Sequence, residues 1–219
     1  VSMLMRPCAP PSETVLAGLD PAVHPNNCCL LDVRRGSSLR ATDPTRSVPL
    51  PLPSFLHGRL ALPAVAAPMF LVSGPDLVVE SCRAGVIGTF PALNQRTSAG
   101  YAAWLEAIAD RLAAAEAAGE RPAPYGINLI VHKTNPRVGA DLELTVKHKV
   151  PLVITSLGAN SEVVQAVHGY GGVVFHDIAN VRHARKAAEA GVDGLILVAN
   201  GAGGHAGVVN PFALVEEVR

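Results

Sequence analysis

Beyond residue 60 the chain alternates short runs that are apolar throughout with longer stretches whose apolar residues recur every three or four positions. The apolar runs cover residues 64–69, 86–90, 125–131, 152–157, 173–178 and 194–199. A run without polar alternation is buried on both faces, which predicts parallel strands covered by helices. Helices are predicted between the runs: from Pro75 to about Ala84, over 98–118, from Asn135-Pro136 to about Lys149, over 161–168 and 180–190, and from Asn210-Pro211 into Arg219. In the longest of these, Tyr101, Leu105, Ile108 and Leu112 fall on one stripe while Glu106, Asp110 and Arg111 lie off it. Pro75 and Pro211 suit a first helical turn, where the missing N–H costs nothing.

Strand starts lie about 26 residues apart, the length of a βα unit. The predicted class is therefore α/β, with ligand loops gathered at the C-terminal ends of parallel strands. Six units suit an open doubly wound sheet, whereas a (β/α)8 barrel needs eight. Periodicity leaves both open.

Composition divides the chain near residue 53. Nine of the 18 prolines and three of the four cysteines precede that point. Residues 1–53 lack sustained hydrophobic periodicity and are expected to form an irregular extension, with residues 54–219 as the α/β domain. Glu13, Asp20, Asp32 and Asp43 make this leader a poor transit peptide, and it has no apolar core of a secretory signal. It is read as an extension without function of its own rather than a targeting segment.

With 219 residues, 49% hydrophobic and 16% charged, and a mean hydropathy of +0.29, the chain can bury one good core. Its 18 basic and 18 acidic residues balance, and the basic ones are scattered, so no nucleic-acid footprint is present. No apolar run approaches the roughly 20 residues that span a bilayer. Cys8, Cys28, Cys29 and Cys82 show no metal-ligand spacing, and adjacent cysteines do not readily bridge, so reduced thiols in a cytoplasmic protein are expected.

The candidate chemistry collects at the strand ends. The runs end in turn with Ala67-Pro68-Met69, Thr89-Phe90-Pro91 with Asn94 beyond, a strand carrying Asn128, Thr155-Ser156, His176-Asp177, and the loop Asn200-Gly201-Ala202-Gly203-Gly204-His205-Ala206-Gly207. Glycines without Cβ let a backbone approach a ligand closely. The single imidazole among them, His205, is suited to proton transfer near neutral pH. Met69 and Phe90 supply apolar wall, and the set suits a flat, polar-edged aromatic cofactor better than a metal. No metal site is expected, because His176-Asp177 is two ligands without a third. Asn128, inside an apolar run, needs hydrogen-bond partners, and either a structural bond or a ligand would serve. His132, His148, His168 and His183 lie among charged residues and are read as solvent-facing. The glycine loop has neither the G-x-G-x-x-G spacing after a first strand nor a Gly-Lys-Ser/Thr ending, which excludes the dinucleotide and Walker fingerprints.

The ordered segments Ala66-Ala67-Pro68-Met69, Gly88-Thr89-Phe90-Pro91-Ala92-Leu93-Asn94, Gly126-Ile127-Asn128, Asn180-Val181-Arg182-His183-Ala184 and the loop 201–207 together resemble the nitronate monooxygenase family, over roughly residues 52–219. The resemblance implies an FMN-dependent TIM-barrel enzyme that converts nitronates or nitroalkanes, with dioxygen, into carbonyl compounds and nitrite. It implies His205 as general base, Ala67, Pro68 and Met69 along the flavin ring, Asn128 hydrogen-bonded to FMN, and Gly203 and Gly204 as backbone contacts. One branch of the family carries a lysine as flavin contact where this chain has Asp177, so the contact changes sign and His176 is expected to share it. The family continues through two further strands whose loops grip the FMN phosphate. This chain ends in the helix after the sixth strand, so an incomplete barrel of about six βα units is expected. Relatives with NAD(P)H-dependent flavin reductase chemistry on quinones or enoyl thioesters share these motifs, and an inactive remnant is the remaining alternative. The expected partners are a small-molecule nitronate or nitroalkane and O2, with no nucleic acid and no membrane.

Overall fold

The computed structural model describes residues 3–4, 53 and 56–219. A short strand β1 (Met3–Leu4) runs antiparallel to β2 (Ala64–Ala66). The chain then alternates α1 (Pro75–Arg83), β3 (Ile87–Pro91), a single 3-10 turn (Ala92–Asn94), α2 (Ser98–Ala117), β4 (Gly126–Ile130), α3 (Val138–Lys147), β5 (Leu152–Ser156), α4 (Ser161–His168), β6 (Val173–Ile178), α5 (Val181–Ala190), β7 (Gly194–Leu197) and α6 (Pro211–Val218). Apart from β1 and residue 53, the rest of the proposed extension lies outside the described residues.

Strands β2 to β7 are all parallel and pair in chain order, each hydrogen-bonded to the next. A doubly wound sheet reverses its strand order at a switch point. This sheet has no reversal, so it is the curled arc of a (β/α)8 barrel, six units long. That order settles what periodicity left open.

Two separate apolar clusters line the two faces of the arc. Inside lie Leu56, Val65, Ile87, Leu152, Ile154, Phe175 and Ile196. Outside, Ile127, Leu129, Val153, Val174, Ile178 and Leu195 pack against helix residues such as Val78, Leu105, Val164 and Ala187. Side chains alternate across a strand, so residue parity assigns every strand position to one face or the other. The helix layer sits close: a Cβ on Gly88 of β3 would lie 2.3 Å from the Val78 carbonyl of α1.

Helix starts follow the sequence signals. Thr97, Asn160, Asn180 and Asn210 each accept a backbone N–H of the first turn, and Pro75 and Pro211 open their helices. Three boundaries move inward. Strand β2 ends at Ala66, not residue 69, because Pro68 has no N–H to give and the chain turns back, with Ser73 N–H bonding the Met69 carbonyl at 3.0 Å. Strand β7 ends at Leu197, where the glycine loop begins to fold. Helix α3 starts at Val138 because the Asn135 side chain accepts the Arg137 N–H in a turn of its own. No helix among the described residues is long and apolar enough to cross a membrane.

Candidate active site at the strand C-terminal edge

Three neighbouring strands each project one polar side chain from the inner face near their C-terminal ends: Asn128 from β4, Ser156 from β5 and Asp177 from β6. The parallel register sets Asn128 opposite Ile154 and Ile130 opposite Ser156, so the two side chains are diagonal neighbours. Asn128 is only 7% exposed; its Nδ2 donates to the Ile154 carbonyl at 3.2 Å and to Ser156 Oγ at 2.7 Å. Burial pushes the Asp177 carboxyl up from its ordinary value, against the opposing pull of Ser156 and of the neighbouring His176.

His176, expected beside the cofactor, is turned the other way. It shares the outer face with Val174 and Ile178, and its Nδ1 lies 2.8 Å from Thr155 Oγ1. The Thr155 hydroxyl also reaches the Phe175 carbonyl at 3.3 Å, which can only accept, so Nδ1–H is the donor to Thr155. Burial pushes the His176 imidazole below its ordinary value, opposed chiefly by the charge of Asp177.

The segment after β2 forms a side wall. Ala67 and Pro68 are half-buried and Met69 is 42% exposed. Its shape depends on two residues. Buried Ser73 accepts the Met69 N–H at 2.9 Å, and Asn94 donates from Nδ2 to the carbonyls of Met69 (3.0 Å) and Ser73 (2.8 Å). Asn94 is legible as a strand-end polar residue, but Ser73 is not among the candidate residues named from the sequence. Its one visible signal was its place ahead of Gly74-Pro75.

The glycine loop after β7 closes on itself. Asn200 N–H bonds the Val209 carbonyl at 2.8 Å and Gly207 N–H bonds the Ala199 carbonyl at 3.2 Å. Gly207 must lack a side chain, since a Cβ there would lie 2.1 Å from the Val198 carbonyl. Gly201 and Gly204 take left-handed backbones, φ 80° and 81°, with open space where a Cβ would be. Gly203, Gly204 and His205 are exposed at the same edge of the sheet as Asn128. His205 has no hydrogen-bond partner among the described residues, so its ring nitrogens are open to a ligand. Among the described residues no three His, Cys, Asp or Glu side chains are grouped to hold a metal. Two shallow cavities, of about 180 and 330 Å³, involve Arg59 and other residues away from this edge and contain none of these side chains.

Several known proteins are similar to this chain. The nitronate monooxygenase family model matches residues 134–219, which include Ser156, Asp177 and the glycine loop. A nitronate monooxygenase from Neurospora crassa is 29% identical over 184 residues, spanning 71% of this chain and 47% of the relative. The (3aS,4S,5R,7aS)-5-hydroxy-7a-methyl-1-oxo-octahydro-1H-indene-4-carboxyl-CoA dehydrogenase of Mycobacterium tuberculosis is 26% identical over 156 residues, 71% of this chain and 41% of that protein. The chain thus spans less than half the length of these curated relatives. Among solved structures, FabK from Thermotoga maritima superposes with a TM-score of 0.60 at 22% identity, over 70% of this chain and 46% of that one. A nitroalkane oxidase from Streptomyces ansochromogenes gives 0.59 at 20% identity, over 70% and 54%. These two likenesses speak for the barrel fold, while the family model and the Neurospora relative show that residues 134–219, and the chain more weakly as a whole, are similar to nitronate monooxygenases.

Proposed function

We propose that this chain, folded as residues 54–219 with an N-terminal extension, carries the flavin-facing side of an FMN-dependent oxidoreductase. Its reading is a nitronate monooxygenase that turns nitronates or nitroalkanes, with O2, into carbonyl compounds and nitrite. The observation that supports this best is the joint presence, at one sheet edge, of a buried carboxamide, a glycine-rich loop and an unengaged imidazole. These fit an isoalloxazine ring: Ala67, Pro68 and Met69 offer apolar wall, Asn128 and Asp177 polar contacts, and Gly203 and Gly204 close backbone approach. His176, on the outer face, contributes by packing rather than by direct contact. Bound flavin supplies the electron acceptor that dioxygen regenerates. His205 takes the α-proton of a neutral nitroalkane, which requires its imidazole within hydrogen-bond reach of the acidic carbon. A free buried thiol, Cys82, suits a reducing, cytoplasmic setting.

Titrating the purified chain with FMN and recording the visible spectrum tests the cofactor. Absence of any bound flavin spectrum would overturn this reading. His205→Asn separates the roles: turnover of neutral nitroalkane should fall at least ~100-fold, the usual worth of a general base, while turnover of preformed nitronate changes little. Equal losses on both substrates would remove His205 as the base. The relative named as a carboxyl-CoA dehydrogenase has an activity other than monooxygenation, and a second reading for this chain is reduction of the flavin by NAD(P)H. Rapid anaerobic bleaching of bound flavin by NADH would select it.

A further inference from the structure

Met69, Phe70, Leu71 and Val72 are four consecutive apolar residues that the fold leaves in solvent: Phe70 is 69% exposed, Leu71 78% and Val72 65%. Their backbone is held from the turn after β3. Asn94 donates from Nδ2 to the carbonyls of Met69 (3.0 Å) and Ser73 (2.8 Å), and its Oδ1 accepts the Leu71 N–H at 3.1 Å. A carbonyl only accepts and an N–H only donates, so both ends of this carboxamide are fixed and both its hydrogens are used. Within that grip Leu71 takes a left-handed backbone, φ 63°, which costs energy in any residue with a Cβ. Relaxing the loop would release that strain and let apolar surface leave water, so a loop held in this shape is built for contact. Leu157, directly after β5, repeats both features at the same edge of the sheet, with φ 62° and 65% exposure.

We infer that Asn94 is a positioning residue, and that Phe70 and Leu71, which it holds out, form a preformed apolar lip that takes the hydrocarbon chain of the substrate. The inference rests on the nitronate reading above and narrows its substrate class to alkyl nitronates, against those ending in a charged group. Place and charge argue for this occupant. The lip follows β2 at the edge where Asn128 and the glycine loop lie. No charged residue lies between positions 67 and 75, so the lip has no cation to meet a second carboxylate on the substrate.

The test uses the full chain with FMN and the preformed nitronates of nitroethane, nitrobutane and nitrohexane, so that proton abstraction plays no part. Wild-type kcat/KM should rise about three- to fourfold for each added CH2, the worth of one buried methylene. Phe70→Ser and Leu71→Asn should flatten that rise, Asn being a residue that tolerates the left-handed backbone. Asn94→Ala should flatten it too, through KM rather than kcat, whereas a merely structural loss lowers all three substrates by one factor. Thermal melts report folding separately, and the two variants at exposed positions keep the test open if Asn94→Ala does not fold. A wild-type rate independent of chain length, or equal losses on all three substrates, overturns the lip and leaves the nitronate reading standing. An intact rise in Phe70→Ser with a changed sedimentation coefficient makes the patch a contact between copies, which also overturns the lip. A wild-type chain that binds no flavin, or oxidises none of the three, overturns the nitronate reading and this inference with it.

Discussion

His176 and Asp177 are consecutive in β6, yet their side chains leave the sheet on opposite faces. The imidazole goes to Thr155 of β5 on the helix-facing side, with Nδ1 2.8 Å from Oγ1, and the carboxyl leaves on the inner face, the side of Ser156. A pair that reads in the sequence as one polar unit is thus two separate environments. In both, burial favours the uncharged form: the imidazole is pushed down and the carboxyl up.

That opposition has a measurable pH signature. For His176 the unfolded chain takes up the proton first, so stability falls as pH drops below its ordinary value of 6.5. For Asp177 the folded chain holds the proton longer, so stability is intact below its ordinary 3.8 and is lost as pH rises through the raised value. Asp177→Asn should therefore match wild type near pH 3 and exceed it at neutral pH, in urea midpoints taken across pH 3–8. A difference that is flat across that range would remove the assigned environment.

Asp141 of α3 is completely buried, held by Arg137 Nη2 at 2.9–3.0 Å and by Ser98 Oγ at 2.7 Å. The Arg137 Nη1 also donates to the Gln95 carbonyl at 2.6 Å, which ties α3 to the start of α2. Arg137→Met leaves a carboxylate buried without its cation and should cost about 3–5 kcal/mol in chemical denaturation. The double variant Arg137→Met/Asp141→Leu should recover much of that loss; no recovery would mean that Arg137 matters by packing alone.

Gly207 marks the tightest point of the glycine loop. Its replacement by Ala places a methyl 2.1 Å from the Val198 carbonyl, so the loop carrying His205 must move. FMN affinity should fall by about tenfold, on the order of the 1–3 kcal/mol that overpacking costs, with a smaller effect on melting than Arg137→Met has. Unchanged flavin affinity would separate this loop from the cofactor.

Cys82 of α1 is fully buried against β3, and burial pushes its thiol up to about 11, although the Gly88 N–H that it accepts pulls the other way. Little thiolate exists at pH 8, and the thiolate is the reactive form. Iodoacetamide treatment of the native chain at pH 8, followed by peptide mass spectrometry, should find Cys82 unmodified until denaturant is added. Prompt alkylation in the native chain would contradict this packing.

Much of the fold was legible because its signals are local. Wholly apolar runs located β3 to β6, and Pro75 and Asn210-Pro211 located two helix starts, each through contacts within a few residues. The errors fell where a distant partner decides. Strand β2 stops early because Ser73 and Asn94 take the Met69 backbone groups that a longer strand would offer its neighbour.

By itself, the sequence determined the βα rhythm, the strand-end inventory with Asn128, Asp177 and His205, and a set of ordered segments particular enough to point to a family. These are properties of periodicity and local chemistry, which the chain carries wherever it lies in space. Only the tertiary structure decided that the strands pair in chain order as a barrel arc, because pairing joins residues some 25 positions apart that no local signal connects. It also decided which way each polar side chain faces. Parity along a strand has meaning only once one face is known to be the barrel interior, and that assignment parts His176 from Asp177 and joins Asn128, Ser156 and Asp177 across three strands.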